Sequence, residues 1–280
     1  MIQEAIHDLI DRALTEDVGD GDHSSLSCIP PEATGKARLI IKEACIIAGL
    51  EISAYVFNRV DKRIKISDSL VDGTSVRPGD TGFFAEGPVQ GLLKSERLVL
   101  NIIQRMSGIA TSTRRYVDAI SGCKAKILDT RKTTPGFRVI EKEAVRIGGG
   151  HNHRMGLFDM IMLKDNHVDY AGGIEKAIRK ANTYLKSAGK NLPVVIEVRS
   201  MDELKQVLKT GMVTRIMLDN FGISETKKAV ELVNGRYKIE SSGGITIDTV
   251  RDYAECGVDY ISVGALTHHI KSIDISLKAL

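Results

Sequence analysis

Three histidines, an arginine and a lysine crowd one apolar run in Gly148–Val168, GGGHNHRMGLFDMIMLKDNHV. These residue types admit three chemistries: a metal site on the histidines, a nuclease of the HNH kind, or a cradle for an anion. His151 and His153 alternate, so on an extended segment they share a face. A zinc site needs further ligands, and no nearby Cys or carboxylate completes a set. The nuclease reading rests on three letters that recur by chance. The anion reading draws on more of the chain. Arg131 and Lys132 follow the run AKILD (125–129), and Lys164 follows MIML (160–163). With His153 and Arg154 they make five cationic or potentially cationic groups near the ends of strand-like runs. Such a concentration is costly unless anions neutralise it. Arginine also suits bidentate carboxylate binding, which lysine does not. A Schiff-base role for Lys164 at its strand end is the competing enzymatic reading.

Other strand-like runs end in chemistry of a different sign. VVIEV (194–198) carries Glu197 and RIMLD (215–219) ends in Asp219. Two carboxylates converging on one mouth repel each other unless a shared Mg²⁺, sugar hydroxyls, or a lysine or arginine on each relieves the repulsion. YKIES (237–241) is followed by Ser242, Gly243 and Gly244, and YISVG (260–264) closes on Gly264. Glycines there let backbone N–H groups approach a phosphate, aided by a following helix N-terminus.

These runs alternate with helical stretches such as GIEKAIRKANTYLK, DELKQVLKT, ETKKAVELV and DTVRDYAE, which predicts βαβ units and a parallel sheet. A barrel gathers the strand ends on one face, where the polar residues fall. A doubly wound sheet lacks its G-x-G-x-x-G fingerprint here. Six strands fall short of eight, so the barrel is expected to be incomplete, with Ser107–Cys123 unassigned. Upstream, residues 2–15 read as an amphipathic helix with Ile2, Ile6, Leu9, Ile10 and Leu14 on one side. EDVGDGDHSSLS fails the calcium-loop register and reads as a surface loop. GKARLIIKE, ACIIAGLE, IKISDSL, TGFFAEG and PVQGLL read as short strands around one helix, SAYVFNRV, giving a small α+β domain. SERLVLNIIQRM (95–106) reads as a helix opened by Ser95, with Val99, Ile102, Ile103 and Met106 buried and Arg97, Asn101 and Gln104 on another face.

The bulk properties exclude several classes. Charged residues are 27% and net charge is +3, too mild to argue for DNA or membrane surfaces. Aromatics are only 5%, with no Trp, which argues against stacking of nucleic-acid bases. Cys28, Cys45, Cys123 and Cys256 form no C-x-x-C pair and read as reduced thiols. The acidic N-terminus is no signal peptide, and no apolar run is long enough to span a membrane, so a cytoplasmic protein is expected.

DTRKTTPGFRVIEKEAVRIGGGHNHRMGLFDMIMLKDNHV closely resembles the quinolinate phosphoribosyltransferase family. ALTEDVGDGDHSS, SERLVLNIIQRMSGIAT, VVIEV, IMLDN, IESSGGI and ISVGALTH follow in the family's order, over nearly the whole chain. The resemblance implies an α/β fold: an N-terminal α+β sandwich-like domain (1–107), an incomplete parallel α/β barrel (108–268) and a tail (269–280) returning to the first domain. It implies transfer of phosphoribosyl from phosphoribosyl pyrophosphate to quinolinate, with Mg²⁺ and with loss of CO₂. It further implies a homodimer or larger assembly in which Arg97 enters the neighbouring site. By motif, Arg131, His153, Arg154 and Lys164 are expected to hold the two quinolinate carboxylates, with Thr130 beside them. Lys132 is expected on phosphoribosyl pyrophosphate, and Glu197 and Asp219 on the ribose hydroxyls and Mg²⁺. Ser242, Gly243, Gly244 and Gly264 are expected on the 5′-phosphate. Lys132, Lys164, Glu197 and Asp219 form the expected catalytic set. A paralogue associated with molybdenum transport shares the DTRKT-type motif and is the alternative, with a different acceptor.

Overall fold

The structure, a computed structural model, describes residues 2–280, with side chains from Glu4 onward. In chain order the first elements are α1 (Ile2–Val18), α2 (His23–Cys28), β1 (Thr34–Ile41), β2 (Cys45–Ile46), α3 (Leu50–Val60), β3 (Lys65–Ser67), β4 (Ser75–Val76), β5 (Thr81–Pro88) and α4 (Val89–Ala119). Then come β6 (Lys126–Leu128), α5 (Arg138–Ile147), β7 (Ile161–Leu163), α6 (Asp165–Ala171), α7 (Ile174–Ser187), β8 (Val194–Val198), α8 (Met201–Thr210), β9 (Arg215–Asp219) and α9 (Ile223–Val233). The chain ends with β10 (Lys238–Ser242), α10 (Val250–Glu255), β11 (Tyr260–Ser262), α11 (Ala265–His268) and β12 (Ile275–Ala279). Two compact units result. One holds Met1–Arg114, Thr133–Gly149 and Leu266–Leu280; the other holds Arg115–Lys132 and Gly150–Ala265. This grouping assigns α5 and the chain after Ala265 to the N-terminal unit, where the sequence reading cuts at 107/108 and 268/269.

The first unit is built on a four-stranded antiparallel sheet in the order β12-β1-β5-β3. β12 pairs with β1 from Ala37↔Ala279 to Ile41↔Ile275. Alternate residues Ala37, Leu39 and Ile41 are buried, as period-two patterning requires of a sheet covered on one face. Phe57 of α3 meets Phe83 of β5 edge to face, with ring centroids 5.9 Å apart. Val99, Ile102, Ile103 and Met106 of α4 are all buried, each contributing about 1.5–3 kcal/mol by leaving water. On α1, Leu9 and Ile10 are buried; the Ile2 side chain lies outside the described residues.

Three sequence expectations change here. PVQGLL is not a strand: α4 begins at Val89, directly after Pro88 ends β5. Ser95 does not open a helix, because α4 runs on both sides of it. Its buried hydroxyl donates to the Gly91 carbonyl at 2.8 Å, a bond back along the helix rather than a cap. The same helix continues to Ala119 and accounts for most of Ser107–Cys123. Residues 16–27 are not one loop: α1 extends to Val18, and Asp22 caps α2 by accepting from the Ser25 N–H at 3.2 Å.

The second unit is a six-stranded parallel sheet in the order β6-β11-β10-β9-β8-β7. All six expected strands are present. From β7 to β11 each strand pairs with the next in sequence, and β11 pairs back to β6; β6 and β7 do not pair, and there the barrel stays open. His151 forms a parallel bridge to Leu128, so the HNHR segment lies along the free edge of β6. The register places Lys126, Tyr260, Glu240, Met217, Glu197 and their period-two neighbours on one face of the sheet. Asp219 pairs with Ser242 on that same face. Ile127, Ile261, Ile239, Ile216 and Ile196 occupy the other face and are buried.

In the first unit, Gly108 of α4 passes close to the chain before β12. An added Cβ there would overlap the Lys271 carbonyl oxygen and lie 2.9 Å from Ile270 Cγ2. Gly108→Ala is therefore expected to lower unfolding stability by about 1–3 kcal/mol, although alanine is the better helix former. Urea titration checks this as a lower midpoint at unchanged slope.

Candidate active site

The carboxyl end of the parallel sheet gathers the charged residues that the sequence singles out. β7 ends before Lys164, which reaches across to β8: its Nζ lies 2.8 Å from Glu197 Oε2. The competing explanation for that carboxylate, a lysine partner, is thus realised. An amine engaged with a carboxylate lacks the apolar pocket that a Schiff-base lysine needs. On β9, Asp219 is half-buried, and the Asn220 side chain donates to its Oδ2 at 2.9 Å. Asn220 itself is left-handed, with φ 56°, and its N–H donates to the Ser242 carbonyl at 2.9 Å. The turn after β9 is thereby fixed to the end of β10.

Gly243 and Gly244 follow with φ of 98° and 60°. A Cβ at Gly243 would overlap the Asn220 amide and lie 2.9 Å from the Asn220 backbone nitrogen, so only glycine fits. A Cβ at Gly244 would meet nothing within 4 Å, so that position is open to a ligand. α10 begins only at Val250, so the cradle here consists of loop backbone rather than a helix end. Gly264 directly precedes α11.

On the opposite side, Asp129 is buried at the end of β6 and its Oδ1 accepts from the His153 N–H at 2.8 Å. The His151 N–H donates to the Ile127 carbonyl at 2.8 Å, and the Asp129 N–H to the His151 carbonyl at 3.1 Å. These bonds hold HNHR in place. Thr130 accepts from the Lys132 N–H at 3.0 Å and so turns the chain that carries Arg131 and Lys132. Arg154 is only 8% exposed and donates to the Met160 carbonyl at 3.3 Å. Burial, followed by the nearby Arg131 charge, lowers the pKa of its guanidinium, and Asp159 offsets only part of this. Arg131 Nε is itself buried and has no hydrogen-bond partner among the described residues. Two arginines that repel, one with an unmet buried donor, form a site suited to an anion. Arg97 belongs to the other unit, exposed on α4.

A group that the sequence reading missed lies deeper on the same face. Glu240 of β10 is fully buried. Arg215 Nη1 donates to its Oε2 at 2.7 Å, His153 Nε2 lies 3.3 Å from the same oxygen, and Ser262 Oγ donates to Oε1. Arg215 also stacks over the Tyr260 ring at 4.2 Å. Burial alone would raise the pKa of the Glu240 carboxyl. His153, Ser262 and Arg215 outweigh that effect and hold it below the ordinary value of 4.5. The signal was present in RIMLD and YKIES: Arg215 and Glu240 share the strand parity of Asp219 and Ser242. Among the described residues, no three His, Cys, Asp or Glu side chains gather as a metal-binding group.

Fold and site together define an open α/β barrel with cationic side chains and glycine turns gathered at its strand ends. Comparison with known proteins makes the class specific. Residues 22–107 match the profile of the quinolinate phosphoribosyl transferase N-terminal domain, and residues 109–278 that of the C-terminal domain. The chain is 45% identical over 285 residues to the chloroplastic nicotinate-nucleotide pyrophosphorylase [carboxylating] of Oryza sativa subsp. japonica, covering 96% of this chain and 76% of that protein. It is 40% identical over 269 residues to the probable nicotinate-nucleotide pyrophosphorylase [carboxylating] of Bacillus subtilis (strain 168), covering 96% and 91%. The crystal structure of NadC from Streptococcus pyogenes superposes with a TM-score of 0.92 at 40% identity, over 98% of this chain and 97% of that one. The chain belongs to the quinolinate phosphoribosyltransferase family.

The low Glu240 pKa ties stability to pH. Its folded-state value lies below that of an unfolded glutamate, so its contribution is complete above about 4.5 and drains as pH falls through the folded value. Urea unfolding at a series of pH values is expected to show a shallower acid slope in Glu240→Gln than in the wild type. Equal slopes would remove Glu240 from the acid response.

Proposed function

We propose that this chain transfers phosphoribosyl from phosphoribosyl pyrophosphate to quinolinate, giving nicotinate mononucleotide, pyrophosphate and CO₂, in NAD biosynthesis. Family membership supports the reading. The observation that carries it to the site is the repulsion between Arg131 and Arg154 at the barrel mouth, which Asp159 offsets only in part. Arg131, Arg154 and Lys164, with Thr130, form the cradle for the two carboxylates. Lys132, exposed beyond the strand end, meets phosphoribosyl pyrophosphate. Ser242, Gly243, Gly244 and Gly264 take the 5′-phosphate. The matched profiles and the relatives named above give no support to the molybdenum-associated acceptor.

The chemistry follows from the substrates. The ring nitrogen of quinolinate forms a bond to the anomeric carbon as the bond to pyrophosphate breaks. Positive charge develops on the ribose, where Glu197 and Asp219 favour it. The nitrogen is a weak nucleophile with no proton to lose, so the cradle contributes orientation rather than a general base. The alkylated ring then draws the electron pair of the breaking bond to the 2-carboxylate. CO₂ leaves, and carbon 2 takes up one proton.

Glu197 and Asp219 are two carboxylates on neighbouring strands, too few to cage a metal alone. That donor set fits Mg²⁺, which is commonly held by one or two carboxylates together with substrate phosphates and water. When bound, Mg²⁺ supplies positive charge to the departing pyrophosphate. A homodimer in which Arg97 serves the partner's site belongs to the same proposal. The exposed Arg97 and the exposed apolar Leu157, Phe158 and Tyr170 support it. A cytoplasmic location is also part of it. Among the described residues no helix is long and apolar enough to cross a membrane.

Product analysis with quinolinate, phosphoribosyl pyrophosphate and Mg²⁺ tests this. Nicotinate mononucleotide and CO₂ are expected, with nicotinate unused as acceptor and kcat/KM lowered about 100-fold in Arg131→Ala. Folded protein without product would overturn the assignment. Gly243→Ala is expected to raise KM for phosphoribosyl pyrophosphate roughly 10- to 100-fold by displacing Asn220, with little change in quinolinate affinity.

A further inference from the structure

His153 was expected on the substrate, but its ring faces the protein. It is 8% exposed. Nδ1 accepts the Arg154 backbone N–H at 2.7 Å, a short bond that requires an unprotonated nitrogen. The proton of the neutral ring then sits on Nε2, which lies 3.3 Å from Glu240 Oε2. The His153 backbone N–H is taken by Asp129. Nδ1 and the main chain hydrogen-bond to protein groups, Nε2 faces the Glu240 carboxylate as a close electrostatic contact, and what the ring fixes is the backbone of Arg154. Glu240 is held in turn by Arg215 and Ser262 on the strands to either side of it.

We infer that Glu240 is a positioning residue: it sets the tautomer of His153, and His153 orients Arg154 in the anion cradle rather than binding substrate itself. The chain of contacts runs from the barrel interior to the mouth, Arg215 to Glu240 to His153 to the Arg154 N–H. Its effect falls on the acceptor side of the site and leaves the glycine cradle alone. The kinetic consequence rests on the quinolinate reading; the tautomer does not.

Two measurements test this. Ring ¹⁵N spectra, with the His153 signals assigned by their loss in His153→Asn, are expected to show one tautomer protonated on Nε2. Glu240→Met should convert it to a mixture, and Glu240→Gln, which keeps an acceptor oxygen, should restore it. In steady-state kinetics, Glu240→Met is expected to raise KM for quinolinate about 10-fold, with kcat and KM for phosphoribosyl pyrophosphate within about threefold. Glu240→Gln should recover most of the loss. His153→Asn keeps an acceptor near Nδ1 and should bind quinolinate better than His153→Gln, which keeps a group near Nε2. The reverse order, an unchanged tautomer in Glu240→Met, or a loss shared equally by both substrates would overturn the inference. If Glu240→Met does not fold, Arg215→Met/Glu240→Met removes both charges and is read by the same criteria. If the wild type makes no nicotinate mononucleotide, the functional reading fails and the tautomer decides the inference alone.

Discussion

The structure of the barrel unit turns on one carboxylate that water does not reach. An isolated charge buried this deeply is penalised by several kcal/mol. Glu240 is tolerated because three elements converge on it. Arg215 comes from β9, Ser262 from β11 and His153 from the segment along β6, while β10 supplies Glu240 itself. No pair among these would suffice. Removing one partner would strand the others, so the network favours a single arrangement of strands and of the HNHR segment. That segment carries no regular secondary structure of its own beyond the bridge at His151. Its order comes from the polar contacts beneath it.

Register connects this network to the mouth. In a parallel sheet paired residues point to the same face, and a one-residue slip would turn every side chain over. The observed pairing puts Arg215, Glu240, Tyr260 and Glu197 on the face that further along carries Asp219 and Ser242. One alternation therefore serves two layers. The inner layer is neutralised within the protein. Glu197 is likewise matched by Lys164, whereas at the mouth Arg131 and Arg154 stay in mutual repulsion. Both arginines lie on irregular segments, and the bonds made by Asp129 and Thr130 keep those segments from relaxing the like charges apart.

Much of this was legible in the sequence. The six apolar runs became the six strands because a parallel sheet buries both faces and reads as continuous hydrophobicity. Glu197 and Asp219 were found because they break that pattern at strand ends. Arg215 and Glu240 break it too, but one lies at the start of its strand and the other in the middle, where position alone suggests a solvated edge. His153 was legible as a site residue but not in its orientation, which depends on Glu240. Ser95 misled because serine caps helices and also bonds back within them. Only the turn preceding it, which remained helical through Gly91, separates the two cases. The Asp22 cap was hidden by a composition of Gly, Asp and Ser that loops share.

The balance of charge also bears on acceptor choice under the proposed function. A dicarboxylate and its monocarboxylate analogue have nearly the same shape, so a pocket built on shape would separate them poorly. A cradle in which Arg154 and the Arg131 Nε are buried and the two charges destabilise each other separates them differently. The dicarboxylate relieves the repulsion between Arg131 and Arg154, whereas an acceptor with one carboxylate leaves part of it in place, along with an unmet donor on Arg131 Nε. Sites that leave buried polar groups unpaired reject the wrong ligand far more strongly than sites that lose only a hydrophobic contact. On this argument, selectivity for quinolinate resides in what the protein withholds from its own arginines. Asp129 is spent on the His153 backbone and Glu240 on Arg215 and His153, so neither carboxylate is left to neutralise the cradle before the substrate does.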